Sequence, residues 1–183
     1  MELGINLVVI VGLGLTWMAL TPDEIQTDFS HSNAQRLGSL ERQLHEDPSD
    51  IPALRELSTA YLAAHRPAAA IAALRSVEPT TLEHPALGRA LADGYQAMGR
   101  FDDALASAQL TLDRCARSLG ASDGPSGTAV PRFRCSAREY ARLSVQEEAL
   151  RRVVAWDVVQ ANDRRVAHAY DLALRRARVA SAN

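Results

Sequence analysis

The sequence contains no lysine: all 20 of its basic residues are arginine. Both the Gly-Lys-Ser/Thr phosphate loop and Schiff-base chemistry are thereby excluded, because each needs a primary amine. Aromatic residues make up only 5% of the chain. That scarcity argues against a sheet-rich core, and it leaves the basic segments without the interleaved rings on which nucleic-acid bases stack. Nucleic acid is therefore not an expected partner. There are two cysteines, and the histidines His31, His45, His65, His84 and His168 stand outside the i, i+4 or Cys-His spacings of metal sites. Neither a metal nor another cofactor is expected, and no small-molecule substrate.

Apolar residues (47%) and charged residues (23%) are near globular averages, with Ala and Leu abundant, which favours an all-α fold. A length of 183 residues suits one domain. The net charge of -2 hides an asymmetry: residues 1–114 carry 8 Arg against 15 acids, and residues 115–183 carry 12 Arg against 7 acids. The two halves would attract opposite partners, unless these are solvated helix faces whose charges pair locally.

Residues 3–20, LGINLVVIVGLGLTWMAL, run 18 positions without a charge. As a helix the segment would span roughly 27 Å, enough to cross a bilayer. We expect residues 1–20 to form one uncleaved transmembrane helix. A signal peptide is the main competitor, but no Lys or Arg precedes the run and no small-x-small site follows it. The first Arg after the span is Arg36, so nothing holds the following chain in the cytoplasm. An outward, periplasmic body on a bacterial inner membrane is the expectation. Residues 21–34 are polar and read as a short tether.

Laying the stretch from Ile51 over the stretch from Pro85 gives a register of 34 residues. Arg55 meets Arg89, Leu57 meets Leu91, Tyr61 meets Tyr95, Ala63 meets Ala97, Arg66 meets Arg100, Ala70 meets Ala104 and Ala72 meets Ala106. The register extends backwards through Leu37 and Leu40, which places a preceding second helix over residues 35–48. Apolar positions Leu54, Leu57, Tyr61 and Leu62 recur at helical spacing before a break at His65-Arg66-Pro67. Gly99 suits a helix C-terminal cap in the equivalent turn. Leu91, Tyr95, the turn Gly99-Arg100-Phe101 and Ala104 together resemble the tetratricopeptide repeat (TPR) family, although Gly88 stands where that family often carries Trp and His65 and Pro67 replace its turn residues. The resemblance covers the repeats, residues 35–118, and implies a solenoid of stacked helical hairpins.

Residues 119–131 are rich in Gly, Ser and Pro and read as a flexible loop. Beyond them, over 132–183, apolar positions at helical spacing predict two C-terminal capping helices, separated by N-cap residues at Asn162 and Asp163. Cys115 and Cys135 bracket the loop. A disulfide between them would close a loop of ~20 residues, stabilise by about 3 kcal/mol in the chain-entropy model, and require an oxidising compartment. Two small buried thiols are the alternative.

One string spells a nucleophile-elbow pattern, Gly120-Ala121-Ser122-Asp123-Gly124. It lacks the strand before and the helix after that such a serine needs, and no enzymatic activity is expected. The TPR resemblance instead implies a peptide-binding concave face carried by each unit's first helix. The matching positions are Arg55, Thr59 and Leu62 in one unit, and Arg89, Asp93 and Gln96 in the next. Arg55 and Arg89 are equivalent across the repeat and could fork onto the carboxylates of one anionic strip, or else pair with Glu56, Asp93 or other neighbours. The family's Lys and Asn carboxylate clamp is absent. The expected function is a membrane-anchored interaction scaffold or assembly factor whose partners are other proteins. A permanent structural subunit of a larger membrane complex is the alternative.

Overall fold

The computed structural model describes residues 23–120 and 133–180. The apolar segment 3–20 and most of the loop 119–131, Ser122 included, lie outside them. Among the described residues no helix is long and apolar enough to cross a membrane. The described chain is all-helical: α1 (Asp23–Glu46), α2 (Ile51–Ala63), α3 (Pro67–Arg75), the single turn α4 (Pro79–Leu82), α5 (Pro85–Ala97), α6 (Phe101–Gly120), α7 (Ala137–Ala155) and α8 (Arg164–Ala180). Two compact units divide the chain, Met1–Gly38 and Ser39–Asn183. The stretch expected to be a tether is helical from Asp23 onwards, and the helix expected over residues 35–48 is the C-terminal part of the same α1, which ends at Glu46.

The 34-residue register is built into the helices of the second unit. The starts of α2 and α5, Ile51 and Pro85, lie 34 positions apart, as do those of α3 and α6, Pro67 and Phe101. Equivalent residues open them. The Asp50 carboxylate accepts the Ala53 N–H at 3.0 Å, and 34 positions later His84 Nδ1 accepts the Ala86 N–H at 3.2 Å, so each N-cap satisfies a backbone donor that the helix cannot.

Equivalent turns close them. His65 (φ 56°) and Gly99 (φ 72°) are both left-handed, and the Arg66 and Arg100 N–H groups donate back to the Tyr61 and Tyr95 carbonyls at 2.8 and 2.9 Å. This is the Schellman arrangement, in which the reversal satisfies carbonyls left over at the helix end. The arginine that makes each bond also sets its guanidinium over the tyrosine ring it returns to, 5.3 Å from the Tyr61 centroid and 4.9 Å from that of Tyr95. A third copy of the turn ends α7, with Asp157 at φ 51° and Val158 N–H donating to the Val153 carbonyl.

The helices pack in order, α2 on α3, α5 on α6, α6 on α7 and α7 on α8, while α5 also packs on α2 and α3. Small residues set the spacing: Ala70 and Ala104, equivalent in the register, are fully buried, as are Ala92, Ala108, Ala149 and Ala169. The main core joins Ile71 of α3 to Tyr95, Phe101, Leu150, Val153 and Val166, so the C-terminal hairpin shares one apolar interior with the repeats. A second cluster centres on Leu54, Leu74 and Leu87. A third consists of Cys115, Cys135 and Leu143, with the two sulfurs at disulfide distance and the Cα atoms 5.2 Å apart. The capping hairpin is cut as its residues direct. Ser136 and Glu139 form a reciprocal capping box on α7, and the Asp163 carboxylate accepts the Arg165 N–H at 2.8 Å before α8. Many charges of the arginine-rich half pair locally, as Arg152 with Glu148 and Arg175 with Asp171, both at i, i+4.

Two outcomes follow from this packing. A Cβ built on Gly88 would lie 2.2 Å from Thr111 Oγ1 and 2.9 Å from its Cγ2. Gly88→Ala should therefore lower stability by roughly 1–3 kcal/mol in urea denaturation, and Thr111→Ala in the same chain should restore much of it; additive losses would assign the cost elsewhere. Replacing both cysteines by serine should cost about 3 kcal/mol, read as a fall in denaturation midpoint that matches the effect of reductant on the parent protein.

Candidate functional site

Residues four and seven positions apart share one face of a helix, which puts Arg55, Thr59 and Leu62 on one face of α2 and Arg89, Asp93 and Gln96 on the corresponding face of α5. Because α2 and α5 pack together, the two faces adjoin. Four of these residues, Arg55, Thr59, Arg89 and Asp93, line a single cleft of about 210 Å³. Its floor is apolar, from Pro85, Ala86 and Ala90 of α5 and Leu143 of α7, and α7 also contributes Glu139 and Arg142. Thr59 spends its hydroxyl on the Arg55 carbonyl of its own helix at 2.9 Å, leaving the guanidiniums as the exposed donors of the wall.

The other two residues are placed elsewhere. Gln96 is held by the capping hairpin: its Oε1 accepts the Tyr170 hydroxyl at 2.7 Å. Leu62 is half-buried farther along α2 and does not line the cleft.

Asp93 is the electrostatic centre of the site. Burial pushes its carboxyl up to about 6, against the opposing pull of the Arg89 guanidinium and of a hydrogen bond from Gln146. That bond is short: Gln146 Nε2 donates to Asp93 Oδ1 at 2.7 Å, and it also reaches the Arg89 carbonyl at 3.5 Å. Tyr170 lies close enough that Asp93 adds to the upward shift which burial imposes on its phenol. At the other end Glu139 is held below the usual carboxylate range, first by the Ser136 N–H, and so stays ionised. His84 is pushed down by burial and by Arg55, with Glu139 opposing. Its Nδ1 is committed as the acceptor that caps α5.

Glu139, Arg142 and Leu143 are the residues that sequence reasoning missed. A signal was present: Glu139, Arg142, Leu143, Gln146 and Leu150 share one α-helical face, and a face that mixes polar side chains with buried leucines is one that meets polar groups of a neighbour. Among the described residues no group of three or more His, Cys, Asp or Glu could hold a metal ion, and α6 runs up to Gly120, the first residue of the Ser122 string. What the cleft offers is three guanidiniums from three helices over a short apolar floor, which is equipment for gripping an anion and the aliphatic stem that carries it.

Compared with family models, curated proteins and solved structures, the chain gives no match.

The raised Asp93 pKa fixes a pH dependence. A carboxyl whose folded-state pKa lies above its unfolded value favours the fold most below the unfolded pKa of about 4, and that contribution is lost as pH rises through 6. Asp93→Asn should therefore raise stability by about 2 kcal/mol at pH 8 and by little at pH 4; thermal melts at both values decide it, and an equal effect at both would remove Asp93 as the cause.

Proposed function

We propose that this chain is a membrane-anchored helical-repeat scaffold of the tetratricopeptide type, which docks an acidic segment of a partner protein in the cleft between its repeats and its capping hairpin. The observation that carries the reading is the convergence of Arg55 and Arg89, one from each repeat, on one wall over an apolar floor. Guanidiniums in that setting recognise carboxylates in a paired, directional way, and each repeat adds one. The apolar run 3–20 supplies the anchor. The pairing of Cys115 with Cys135 favours an oxidising compartment, and with it an outward, periplasmic body.

A second reading, a fixed subunit of a larger complex, is favoured by a different observation. The hairpin already ties down Gln96 and Asp93, and Val159, Leu110 and Leu174 are exposed apolar side chains elsewhere on the chain.

Co-purification of the full chain from mild detergent, with and without Arg55→Glu plus Arg89→Glu, tests the first reading. The double variant should lose its partner while keeping its melting temperature within a few degrees; an unchanged partner would sink the cleft as the interaction site. Native gels of the parent separate the second reading, since a fixed subunit never migrates as the small free species.

A further inference from the structure

Resting on that reading, we propose that the cleft is an acid-gated site for an acidic peptide segment: Arg142 of the capping hairpin completes a three-arginine grip with Arg55 and Arg89, and Asp93 competes with the ligand until it takes up a proton. The first part stands on placement. Arg55, Arg89 and Arg142 come from α2, α5 and α7 and line the same cleft. Glu139, the other carboxylate there, is already engaged by the Ser136 N–H and hydroxyl, both at 2.9 Å, and so has hydrogen-bonding capacity spent on its own helix. Asp93 is the remaining carboxylate among three guanidiniums.

The groups that face Asp93 can be named helix by helix. Arg89 on its own helix and Gln146 on α7 act on it directly, Tyr170 on α8 feels its charge, and Arg55 on α2 with Arg142 and Glu139 on α7 share its cleft. α3 and α6 meet other sides of α5 through Ile71, Ser107 and Thr111, none of which titrates. Ionised, Asp93 holds a negative charge where an incoming carboxylate must go, and it acts on Arg89. Protonated, it gives up both roles.

The structure also holds a waiting acceptor for that proton. Gln146 is only 3% exposed, and its Oε1 is buried with no hydrogen-bond partner among the described residues. Its Nε2 meanwhile donates to Asp93. Turning the amide over lets a protonated Asp93 donate to that oxygen, so Gln146 can meet Asp93 in either protonation state. An acidic peptide suits the cleft better than a compact polyanion does. The walls keep Glu139 ionised, and the floor of Ala90 and Leu143 fits the methylene stem of an Asp or Glu side chain.

The test is binding of rhodamine-labelled hexa-aspartate to the full-length chain in neutral detergent, by fluorescence anisotropy at constant ionic strength, at pH 7.5 and 5.5. The probe stays ionised at both values, since free Asp titrates near 3.9. A group titrating at about 6 is protonated in roughly 3% of molecules at pH 7.5 and roughly 75% at pH 5.5. Affinity should therefore rise between about fivefold and about 25-fold on acidification. Asp93→Asn, which keeps the acceptor for Gln146, should bind tightly at both values. Arg142→Glu should bind weakly at both. His84→Asn, which preserves a cap on α5 and removes the imidazole that interacts with Glu139 and Arg55, should keep the parent's response.

Binding that is equal at the two pH values in both the parent and Asp93→Asn overturns the gate while leaving the cleft reading intact. Absence of binding by every form, Asp93→Asn included, overturns the cleft reading itself. A flat His84→Asn would move the gate to that imidazole, and parental affinity in Arg142→Glu would remove the hairpin from the grip.

Discussion

Everything in the second unit is arranged around α5, and α5 can hold that position only because so little projects from it. It meets α2, α3, α4 and α6 along its length and is hydrogen-bonded to α7 through Asp93 and to α8 through Gln96. Helices approach to 8–10 Å according to the side chains between them, and a helix surrounded on most sides has no free face for bulk. Its buried positions are accordingly Gly88, Ala90, Ala92 and Gly94, with Pro85, Leu87 and Tyr95 as the larger exceptions. At Gly94 the limit is tight, since a Cβ there would come 2.8 Å from Ile71 Cγ1. The small residues of α5 follow from this geometry.

Crowding around α5 also explains why its polar residues behave unusually. A helix enclosed in this way cannot send all its polar side chains to water, so Asp93 and Gln96 find partners on the hairpin instead. Each partnership carries a consequence: Asp93 sits where its charged form is disfavoured, and the Tyr170 phenol that serves Gln96 is pushed up by burial and by Asp93. The hairpin is thus a cap in two senses, since it covers the apolar end of the repeats and supplies polar partners to their inner face. The Cys115–Cys135 pair lies behind this arrangement, packed on Leu143, the same leucine that forms part of the cleft floor.

Much of the fold was legible because a repeat announces itself twice. The identities at 34 residues located α2 and α5, and the equivalent positions proved equivalent in detail, down to Arg66 and Arg100 lying over Tyr61 and Tyr95. Gly99 was readable as a cap from its residue type alone. His65 was less so: it takes the left-handed conformation that glycine usually supplies, at a cost near 1 kcal/mol, because the returning Arg66 N–H and the tyrosine stack fix the turn around it. The N-terminal reach of α1 was not legible, since polar residues without periodicity give no sign that a helix continues. The site was legible by half. Arg55, Thr59, Arg89 and Asp93 follow from the repeat, whereas Glu139 and Arg142 belong to a segment outside the register, and which wall they join depends on how the hairpin docks.

The turn at Gly99 has a further meaning. A Cβ there would lie 2.7 Å from the carbonyl oxygen of Val159, so the backbone of the segment after α7 is seated against the backbone of the last repeat's turn. A side-chain interface can be re-cut by substitution, but two main chains in contact leave nothing to trim. A further 34-residue unit inserted after α6 would have to unseat the hairpin from this turn, so at that junction the packing leaves no room for another helical pair.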